Sequence, residues 1–427
     1  MIEEVLKALK ASKSIAAWKI NLTKTESSEL FYVQKKVETV RATDTTDCSV
    51  TVYVDSEGKR GESSFSVYPY MNAEDIASLI EENVFAAKFT LNKFYELPKP
   101  VSHQKEEVKS NLADEPFSTL IAKIGAAIQE ANVMENASLS ATEVFLYKIT
   151  KRVINSSGID DSSSSYECKI ETIPNYVKGK EEVEIYQAIS FASFSPKALT
   201  EKVAESLRLV RDRANAVPMP KVGPTAVILE DENSERFLET FADDLGYNTA
   251  YMHGNLFSPG DDMQEGRTGD ALNITMRPFV EGALSSCFLD RDGVYLSPIE
   301  IIKDGKAINR HGLYRYGYYL GEKNPTGLLP ILDVKEGNSS FDDFKKKPYI
   351  RVVRFSDMQA DLNDGFFGGE VRLAYYFDGE KEIPVTGLTI QGDYQKAKGS
   401  FLLSKERVVL DSYTGPRYVY IPDVVIL

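Results

Sequence analysis

Hydrophobic positions near the start of the chain follow two different spacings. The first is helical and predicts a short amphipathic helix, whose apolar stripe contains Ile2, Val5, Leu6 and Leu9. In residues 48–68 (CSVTVYVDSEGKRGESSFSVY) the spacing changes to two, and every second residue from Val50 to Val54 is apolar. Glu57-Gly58 interrupts this alternation. The segment therefore predicts a β-hairpin closed by a short loop.

Three more helices are predicted before residue 216, each with an apolar stripe at helical spacing. The first follows Asn72, a favourable N-cap residue, and the second begins near Pro116, a favourable first-turn proline. The stripe of the third contains Leu199, Val203, Leu207 and Val210. Strand-like runs extend from about Ser138 to Phe191, and the Asn-Ser-Ser-Gly sequence at 155–158 predicts a turn between them.

A proline-rich segment, NAVPMPKVGP, follows the last of these helices. Because proline at this density stops helices and strands alike, we predict three parts: a domain over 1–214, a linker over 215–224 and a domain over 225–427. After the linker, TAVILE predicts a buried strand and Ser234–Leu245 an amphipathic helix. Short β-branched or aromatic runs separated by Asp-Gly and similar turns dominate the rest. The predicted fold class is α+β, with an N-terminal α+β domain and a β-rich C-terminal domain of mostly antiparallel strands.

Composition excludes several classes of function. The 427 residues include 50 Lys and Arg and 64 Asp and Glu, and the net charge of −14 opposes binding to nucleic acid or to an anionic membrane. No apolar stretch approaches the ~18 residues that a membrane helix needs, and the N-terminus lacks the apolar core of a signal peptide. The three cysteines lie far apart and form neither a disulfide framework nor a zinc-ribbon spacing. We therefore expect a cytoplasmic protein without nucleic-acid or membrane partners.

Common catalytic motifs do not identify a chemistry. The only histidines are His103, His253 and His311, and no two are close enough for HExxH or HExxxH. The sequence also lacks a P-loop, a GxGxxG that opens a helix and a GxSxG nucleophile motif.

Stretches along most of the chain resemble the TldD/PmbA family. They are VYVDSEGKRGESSFSV with the helix AEDIASLIEENVFAAK, RVINSSGIDDSSSSYECKIE, LDRDGVYLSPIEIIKDGKAINRHGLYRYG and DLNDGFFGGEVRLAYYFDGEKEIPVTGLTIQGDY. Members of this family were first described as modulators of DNA gyrase and later as metallopeptidases. The resemblance runs from about residue 40 to the C-terminus, and the fold that it implies agrees with the pattern above.

The family contains two kinds of protein. The TldD kind carries HExxxH on the helix after the interdomain linker, together with a late cysteine, and these residues bind zinc. The PmbA kind, also called TldE, lacks them and pairs with a TldD partner. In this chain the matching helix reads SERFLETFADDLG, which places Glu239 and Thr240 at the His-Glu positions and Asp244 at the second histidine. The C-terminal segment KERVVLDSYTGPRYVYIPDVVIL has no cysteine.

These substitutions remove the chemistry of the zinc motif. Carboxylate and hydroxyl groups form a harder and weaker site than imidazole, and Thr240 cannot act as the general base. Glu239 and Asp244 are more typical of a solvated helix face, so we expect that replacing both by alanine leaves folding almost unchanged. The alternative is a remnant site for Mg²⁺ or Ca²⁺.

A second candidate region is the segment INRHGLYRYGYY. Its His311, Tyr314, Arg315 and Tyr316 predict a peptide-binding or partner-binding surface, because tyrosine and arginine are enriched at interaction hot spots. The alternative is an aromatic-rich strand within a plain β-sheet. His253 is expected at a strand end, in packing or in a surface hydrogen bond.

The resemblance implies a non-catalytic PmbA (TldE)-type subunit that partners a TldD-type metallopeptidase in peptide proteolysis or maturation. In that case unfolded peptides are the substrates, and no metal or other cofactor is expected in this chain. Two alternatives remain open: a self-sufficient metallopeptidase with atypical ligands, and a non-enzymatic binding or scaffold homo-oligomer. The expected partner is accordingly a TldD-type subunit or a second copy in a dimer.

Overall fold

The computed structural model describes residues 1–103 and 106–427. The N-terminal elements are, in chain order, α1 (Ile2–Ala11), β1 (Ala17–Val33), β2 (Lys36–Ser56), β3 (Lys59–Val67), α2 (Ala73–Ala87), β4 (Leu91–Lys93), a 3₁₀ turn (Asn111–Ala113), α3 (Phe117–Ala131), β5 (Ala137–Asn155), β6 (Asp160–Lys178), β7 (Glu181–Glu184), β8 (Gln187–Phe191) and α4 (Pro196–Asn215). The strands form one eight-stranded antiparallel sheet in the order β4-β3-β2-β1-β5-β6-β7, with β8 also paired to β6.

Helices cover the N-terminal sheet in two groups. Val5 and Leu9 of α1 and Ile76 and Ile80 of α2 pack over β1, β2 and β3, in a cluster that includes Val50. A second cluster joins α3 and α4 to β1, β5 and β6, and contains Leu30, Ile124, Val144, Cys168, Ile170, Val203 and Leu207. The alternating strands therefore bury one face under helices, as period-two patterning requires.

Local sequence signals explain several element ends. Asn72 caps α2: its side chain accepts from the backbone N–H groups of Glu74 and Asp75, and the Asp75 side chain accepts from Asn72. Pro116 directly precedes α3, and a turn follows β5 at Asn155. The Asn155 Oδ1 accepts from Ser157 and Ile159, which holds this turn in place.

The C-terminal elements begin in the proline-rich segment. They are β9 (Val217–Pro218), β10 (Thr225–Glu230), α5 (Glu232–Asp244), α6 (Tyr247–Tyr251), β11 (Ile274–Arg277), β12 (Ile299–Lys303), β13 (Lys306–Ala307), α7 (Tyr314–Leu320), β14 (Ile331–Val334), α8 (Phe341–Phe344), β15 (Tyr349–Phe355), β16 (Gln359–Asp361), β17 (Phe366–Phe377), β18 (Glu382–Thr386), β19 (Leu388–Asp393), α9 (Tyr394–Ala397), β20 (Leu402–Leu403), β21 (Arg407–Val409), β22 (Tyr413–Pro416) and β23 (Tyr418–Ile426). The short β9 pairs with β18 at the end of a sheet, the position where proline is tolerated.

Two sheets enclose the C-terminal core. One has the order β15-β10-β23-β19-β17-β18-β9, and β15 also pairs with β17, so five of its strands close into a ring. The other has the order β13-β12-β11-β14-β22-β21. A continuous apolar cluster connects both sheets to α5 through Phe237 and Phe241.

This architecture confirms the predicted fold class: an α+β N-terminal part followed by a β-rich part of mostly antiparallel strands. One alternative and one local expectation were wrong. The aromatic run after His311 is the helix α7 rather than a strand, and His253 lies in an exposed turn after α6, with φ 58°, rather than at a strand end. Among the helices that the structure describes, none is long and apolar enough to span a membrane.

Candidate functional site

The helix α5 is held in the centre of the C-terminal core. The chain leaves β10 through Asp231, whose φ of 50° makes a sharp turn, and the acidic Glu232 and Glu235 in the first turn suit the helix dipole. The buried Ser234 hydroxyl anchors this end near the carbonyl oxygens of Leu229 (2.9 Å) and Arg417 (3.0 Å). The buried face is formed by Phe237, Leu238, Phe241, Ala242 and Leu245.

Glu239 and Thr240, at the positions of the His-Glu pair, have different surroundings. The Glu239 side chain is 43% exposed and lies 3.3 Å from the Arg236 guanidinium. The buried Thr240 hydroxyl lies 2.9 Å from the Phe237 carbonyl oxygen and 3.1 Å from the Tyr394 hydroxyl. Tyr394 itself donates to the Phe237 carbonyl at 3.0 Å. Thr240 therefore belongs to an internal hydrogen-bond group, and Glu239 faces solvent.

Asp244 corrects our expectation of a solvated acidic face. Its side chain is 3% exposed, and its two oxygens accept the backbone N–H groups of Leu256 (2.7 Å) and Phe257 (2.9 Å). Burial raises the pKa of this carboxyl group, and the two N–H groups oppose the increase. Asp244 therefore holds the segment after α6 against the end of α5. Its replacement by alanine would remove buried hydrogen bonds, unlike the replacement of a solvated surface residue.

The three motif positions do not fit the zinc ion that the resemblance associates with this helix. Zinc prefers imidazole, thiolate or free carboxylate ligands. Here Glu239 is paired with Arg236, Thr240 is a neutral hydroxyl, and both oxygens of Asp244 are occupied by backbone donors. Across residues 1–103 and 106–427, the structure brings no three His, Cys, Asp or Glu side chains together in a metal-binding group.

His311 lies beside α5 and not on the surface that we predicted. Its Nε2 is 3.0 Å from the Ala242 carbonyl oxygen, its backbone N–H donates to Leu245, and its carbonyl accepts from Tyr247. Burial lowers the pKa of the imidazole, which favours its neutral form. His311 therefore helps to fix the junction of α5 and α6.

The rest of the predicted surface, on α7, faces the N-terminal sheet in part. Arg315 binds Glu62 of β3 (2.6 Å) and the Tyr319 hydroxyl (2.9 Å). Tyr319 donates to the Lys93 carbonyl at 2.6 Å, and the Lys93 ammonium returns a bond to the Tyr319 carbonyl at 2.7 Å. Arg315 is thus an internal contact between the two halves of the chain, which corrects its assignment to a free partner surface.

Tyr314 and Tyr316 are half-buried on the same helix. The Tyr316 ring lies 5.6 Å from Tyr251 and 6.1 Å from Tyr319, and this group borders a cluster with Tyr53 and Tyr95 of the N-terminal half. The predicted site residues therefore divide into two groups. Glu239, Thr240, Asp244 and His311 lie on or against α5, whereas Tyr314, Arg315 and Tyr316 lie at the junction of the two halves.

Sequence reasoning missed Glu235, a partly buried acid in the first turn of α5. The Ser412 hydroxyl donates to its Oε1 at 2.6 Å, and burial raises the pKa of this carboxyl to about 7. No local sequence pattern indicates this contact or the raised pKa, because Ser412 lies far along the chain and only the fold brings it to α5.

A surface cavity of about 370 Å³ lies away from this region, beside the start of α3. Its charged lining includes Glu26, Asp44 and Lys148, which pair with one another or with Lys24. None of the predicted site residues lines it.

Comparisons with known proteins agree on one family. Residues 222–426 match the family model described as PmbA/TldA metallopeptidase C-terminal domain. A candidate modulator of DNA gyrase from Bacteroides thetaiotaomicron has a similar structure, with a TM-score of 0.83, 15% identity and coverage of 100% of this chain and 98% of the other. The search of curated proteins finds no match.

Two further solved structures have the same fold. TldE from Thermococcus kodakarensis has a TM-score of 0.78 and 15% identity, with coverage of 100% of this chain and 99% of the other. A candidate modulator of DNA gyrase from Thermotoga maritima has a TM-score of 0.77 and 16% identity, and both chains are covered completely.

Proposed function

Because this chain belongs to the TldD/PmbA family, we propose that it is a PmbA (TldE)-type, non-catalytic subunit that partners a TldD-type metallopeptidase. In this role it binds no metal of its own and works in the cytoplasm. It helps to enclose unfolded peptides while the partner trims or matures them.

One observation carries the proposal: the side chains at the three motif positions of α5 are already engaged in ion pairs or hydrogen bonds within the chain. Glu239, Thr240 and Asp244 all have partners within the chain, and the Asp244 carboxylate holds backbone N–H groups. A metal-bound water would also need a base beside it, and a threonine hydroxyl cannot accept its proton at neutral pH. The helix therefore supports a structural role better than hydrolysis.

The decisive experiment measures metal and activity together. We expect purified parent protein to contain less than one zinc per chain by elemental analysis and to leave an unfolded peptide intact. Addition of a TldD-type subunit should give cleavage that a chelator abolishes, at a rate above that of the TldD-type subunit alone.

A variant separates this role from the alternatives. Glu239→Ala should match the parent in the mixed assay, because the partner would hold both metal and base. One tightly held zinc per chain, or unaided chelator-sensitive cleavage that Glu239→Ala abolishes, would make this chain a metallopeptidase with atypical ligands. No binding to any TldD-type subunit and no effect on its cleavage would favour a scaffold homo-oligomer.

A further inference from the structure

One face of the N-terminal sheet is covered over only part of its length. All four helices of this half, α1 to α4, pack on the opposite face. The C-terminal half covers the start of β1, where Ala17 and Tyr53 pack with Tyr319 of α7. Side chains alternate between the two faces of a strand, so the residues of β1, β2, β5 and β6 that point away from the helices continue this face. Towards the end of β1 it is open to solvent, and we call that part, centred on Phe31 and Phe145, the open face.

Three aromatic rings lie side by side on the open face. Phe31 and Phe145 meet edge to face with ring centres 5.8 Å apart, and Tyr147 stacks beside Phe145 at 6.1 Å. All three rings are half-buried, and in the described part of the chain none of them joins an apolar cluster. Such rings in the middle of a sheet surface are suited to binding apolar side chains or the alkyl stems of lysine and arginine.

The charges around these rings are mostly negative. Glu143 and Glu171 lie directly opposite each other on β5 and β6. Two cations of the open face are already paired, Arg41 with Glu29 and Lys169 with Glu167. Among the described residues, no lysine or arginine forms an ion pair with Glu143 or Glu171. Because like charges directly opposite each other destabilise a sheet, a cation between these two carboxylates would remove a repulsion and form an attraction.

The electrostatic potential of the open face also acts on Tyr147. Burial raises the pKa of its hydroxyl, and the negative charges of Glu29, Glu167 and Glu171 raise it further. Arg41 lowers it. Three carboxylates thus act on this ring against one guanidinium. A surface with such an excess of negative charge attracts cations and repels acidic segments.

The open face leads towards α5. Beyond Lys169 it meets the C-terminal half at Asp411, whose carboxylate is close enough to interact with the charge of that lysine. The next residue, Ser412, donates to Glu235 of α5 at 2.6 Å. A peptide that extends from the open face past Lys169 would therefore reach the acidic first turn of the helix that carries the motif positions.

We propose that the open face binds unfolded peptides that carry lysine or arginine next to apolar side chains. The cationic group lies between Glu143 and Glu171, and its alkyl stem and apolar neighbours lie on Phe31, Phe145 and Tyr147. Charge complementarity argues for this occupant, because the face is negative and a second copy of a chain with a net charge of −14 would be repelled. The inference rests on the function proposed above, since it names the class of peptide that the subunit helps to enclose.

Peptide binding to the full chain alone tests this inference. The probe is an unstructured peptide of alternating lysine and leucine, spaced by glycine and serine and labelled with a neutral fluorophore. The comparison peptide has glutamate at every lysine position. We expect fluorescence anisotropy to show the lysine peptide bound about tenfold more tightly, and its affinity to fall with added salt, because exposed ion pairs are screened. Equal affinity for the two peptides would overturn the proposal.

Matched glutamate variants test the position of the site. Glu143→Gln with Glu171→Gln should weaken binding of the lysine peptide about tenfold, and folding should be unharmed because a repulsion is removed. Glu130→Gln with Glu135→Gln removes the same charge from exposed positions at the end of α3, behind the sheet, and should bind like the parent. Circular dichroism checks the fold of each variant. A first pair that binds like the parent, or a second pair that loses as much affinity, would contradict the assignment.

A ring variant separates the other occupants of the open face. Phe145→Ser should weaken peptide binding but leave the sedimentation of the chain and its binding to a TldD-type subunit unchanged. Conversion of a dimeric parent to a monomer would assign the face to a second copy, and loss of TldD-type binding would assign it to that partner. Either result overturns the proposal. Peptide binding as expected, without any effect on cleavage by a TldD-type subunit, would instead contradict the proposed subunit role and leave the peptide site in place.

Discussion

At the residue scale, Asp244 explains why the α5 carboxylates cannot be treated alike. The sequence places Glu239 and Asp244 among the same apolar neighbours, but the chain folds residues 252–257 back over only one of them. Buried backbone N–H groups need an acceptor, and a loop offers no regular backbone partner. The buried Asp244 carboxylate supplies the acceptor for two such groups. The family resemblance located these positions, yet periodicity within the helix could not reveal a partner twelve residues away.

We predict that Asp244→Ala destabilises the protein strongly and Glu239→Ala does not. The first change leaves the N–H groups of Leu256 and Phe257 without acceptors in a buried site, which should lower the free energy of unfolding by about 2–4 kcal/mol. The second removes a half-exposed side chain and should stay within about 0.5 kcal/mol. Denaturant titration of both variants provides the measurement. Equal, small effects would mean that Asp244 is solvated after all.

Glu235 should make stability depend on pH. Its folded pKa of about 7 lies above the ordinary value of 4.5, so the folded state binds its proton more tightly than the unfolded state. Stability therefore falls as pH rises from about 4.5 to about 7, by about 3 kcal/mol at most. Glu235→Gln should raise the melting temperature at pH 8 and leave it nearly unchanged at pH 4.5. The exposed Glu232→Gln is the control, and an equal gain at both pH values would contradict the assignment.

At the element scale, α7 shows that residue composition alone does not decide between a helix, a strand and an interaction surface. The composition of INRHGLYRYGYY suits either an interaction surface or a strand, because tyrosine is common in both. The run folds as a helix, and Gly317 packs close to Tyr247 and Pro325, where a larger residue would not fit. We expected Arg315 to bind a partner, but it binds Glu62 of the N-terminal half of the same chain. Elements with strong periodicity and caps, such as α2, were predicted correctly because their signals are local.

The ion pair between α7 and β3 should be a measurable link between the two halves. Glu62 and Arg315 are 30% and 22% exposed and 2.6 Å apart. A double-mutant cycle with Glu62→Ala and Arg315→Ala should give a coupling energy of about 1 kcal/mol or more. The exposed pair Asp342–Lys345 is the control cycle, and its coupling should stay below about 0.5 kcal/mol. Equal coupling in both cycles would show that the contact does not hold the halves together.

At the scale of the whole molecule, the order of the two halves could be predicted from the sequence, but their sheet topology could not. Changes of hydrophobic period mark helices and strands one by one. The ring of β15, β10, β23, β19 and β17 depends on pairings between residues up to about 200 positions apart, for which a single sequence carries no local signal. The predicted linker shows the same limit: its prolines were interpreted as a break, and Val217–Pro218 still adds two residues to a sheet edge.

The linker leads to the last prediction, which concerns limited proteolysis. Residues 219–224 follow the short β9 and precede β10, and Lys221, Gly223 and Pro224 are exposed. The start of this stretch is held by β9, by the Met219 N–H group bonded to Thr386 and by the Met219 side chain, which packs against the C-terminal core. The residues beyond Met219 are mostly exposed, so local opening there should cost little free energy. Brief trypsin treatment should therefore cut first after Lys221, or in the loop from Leu97 to Asn111, of which residues 104 and 105 lie outside the described part. Lys221→Gln should remove the first cut and leave the second. Mass spectrometry of the fragments provides the measurement. Val385 of β18 and Ile390 of β19 are fully buried, so these strands should resist cleavage. An early cut within Thr386–Gln391 would mean that β18 and β19 are not part of the stable core.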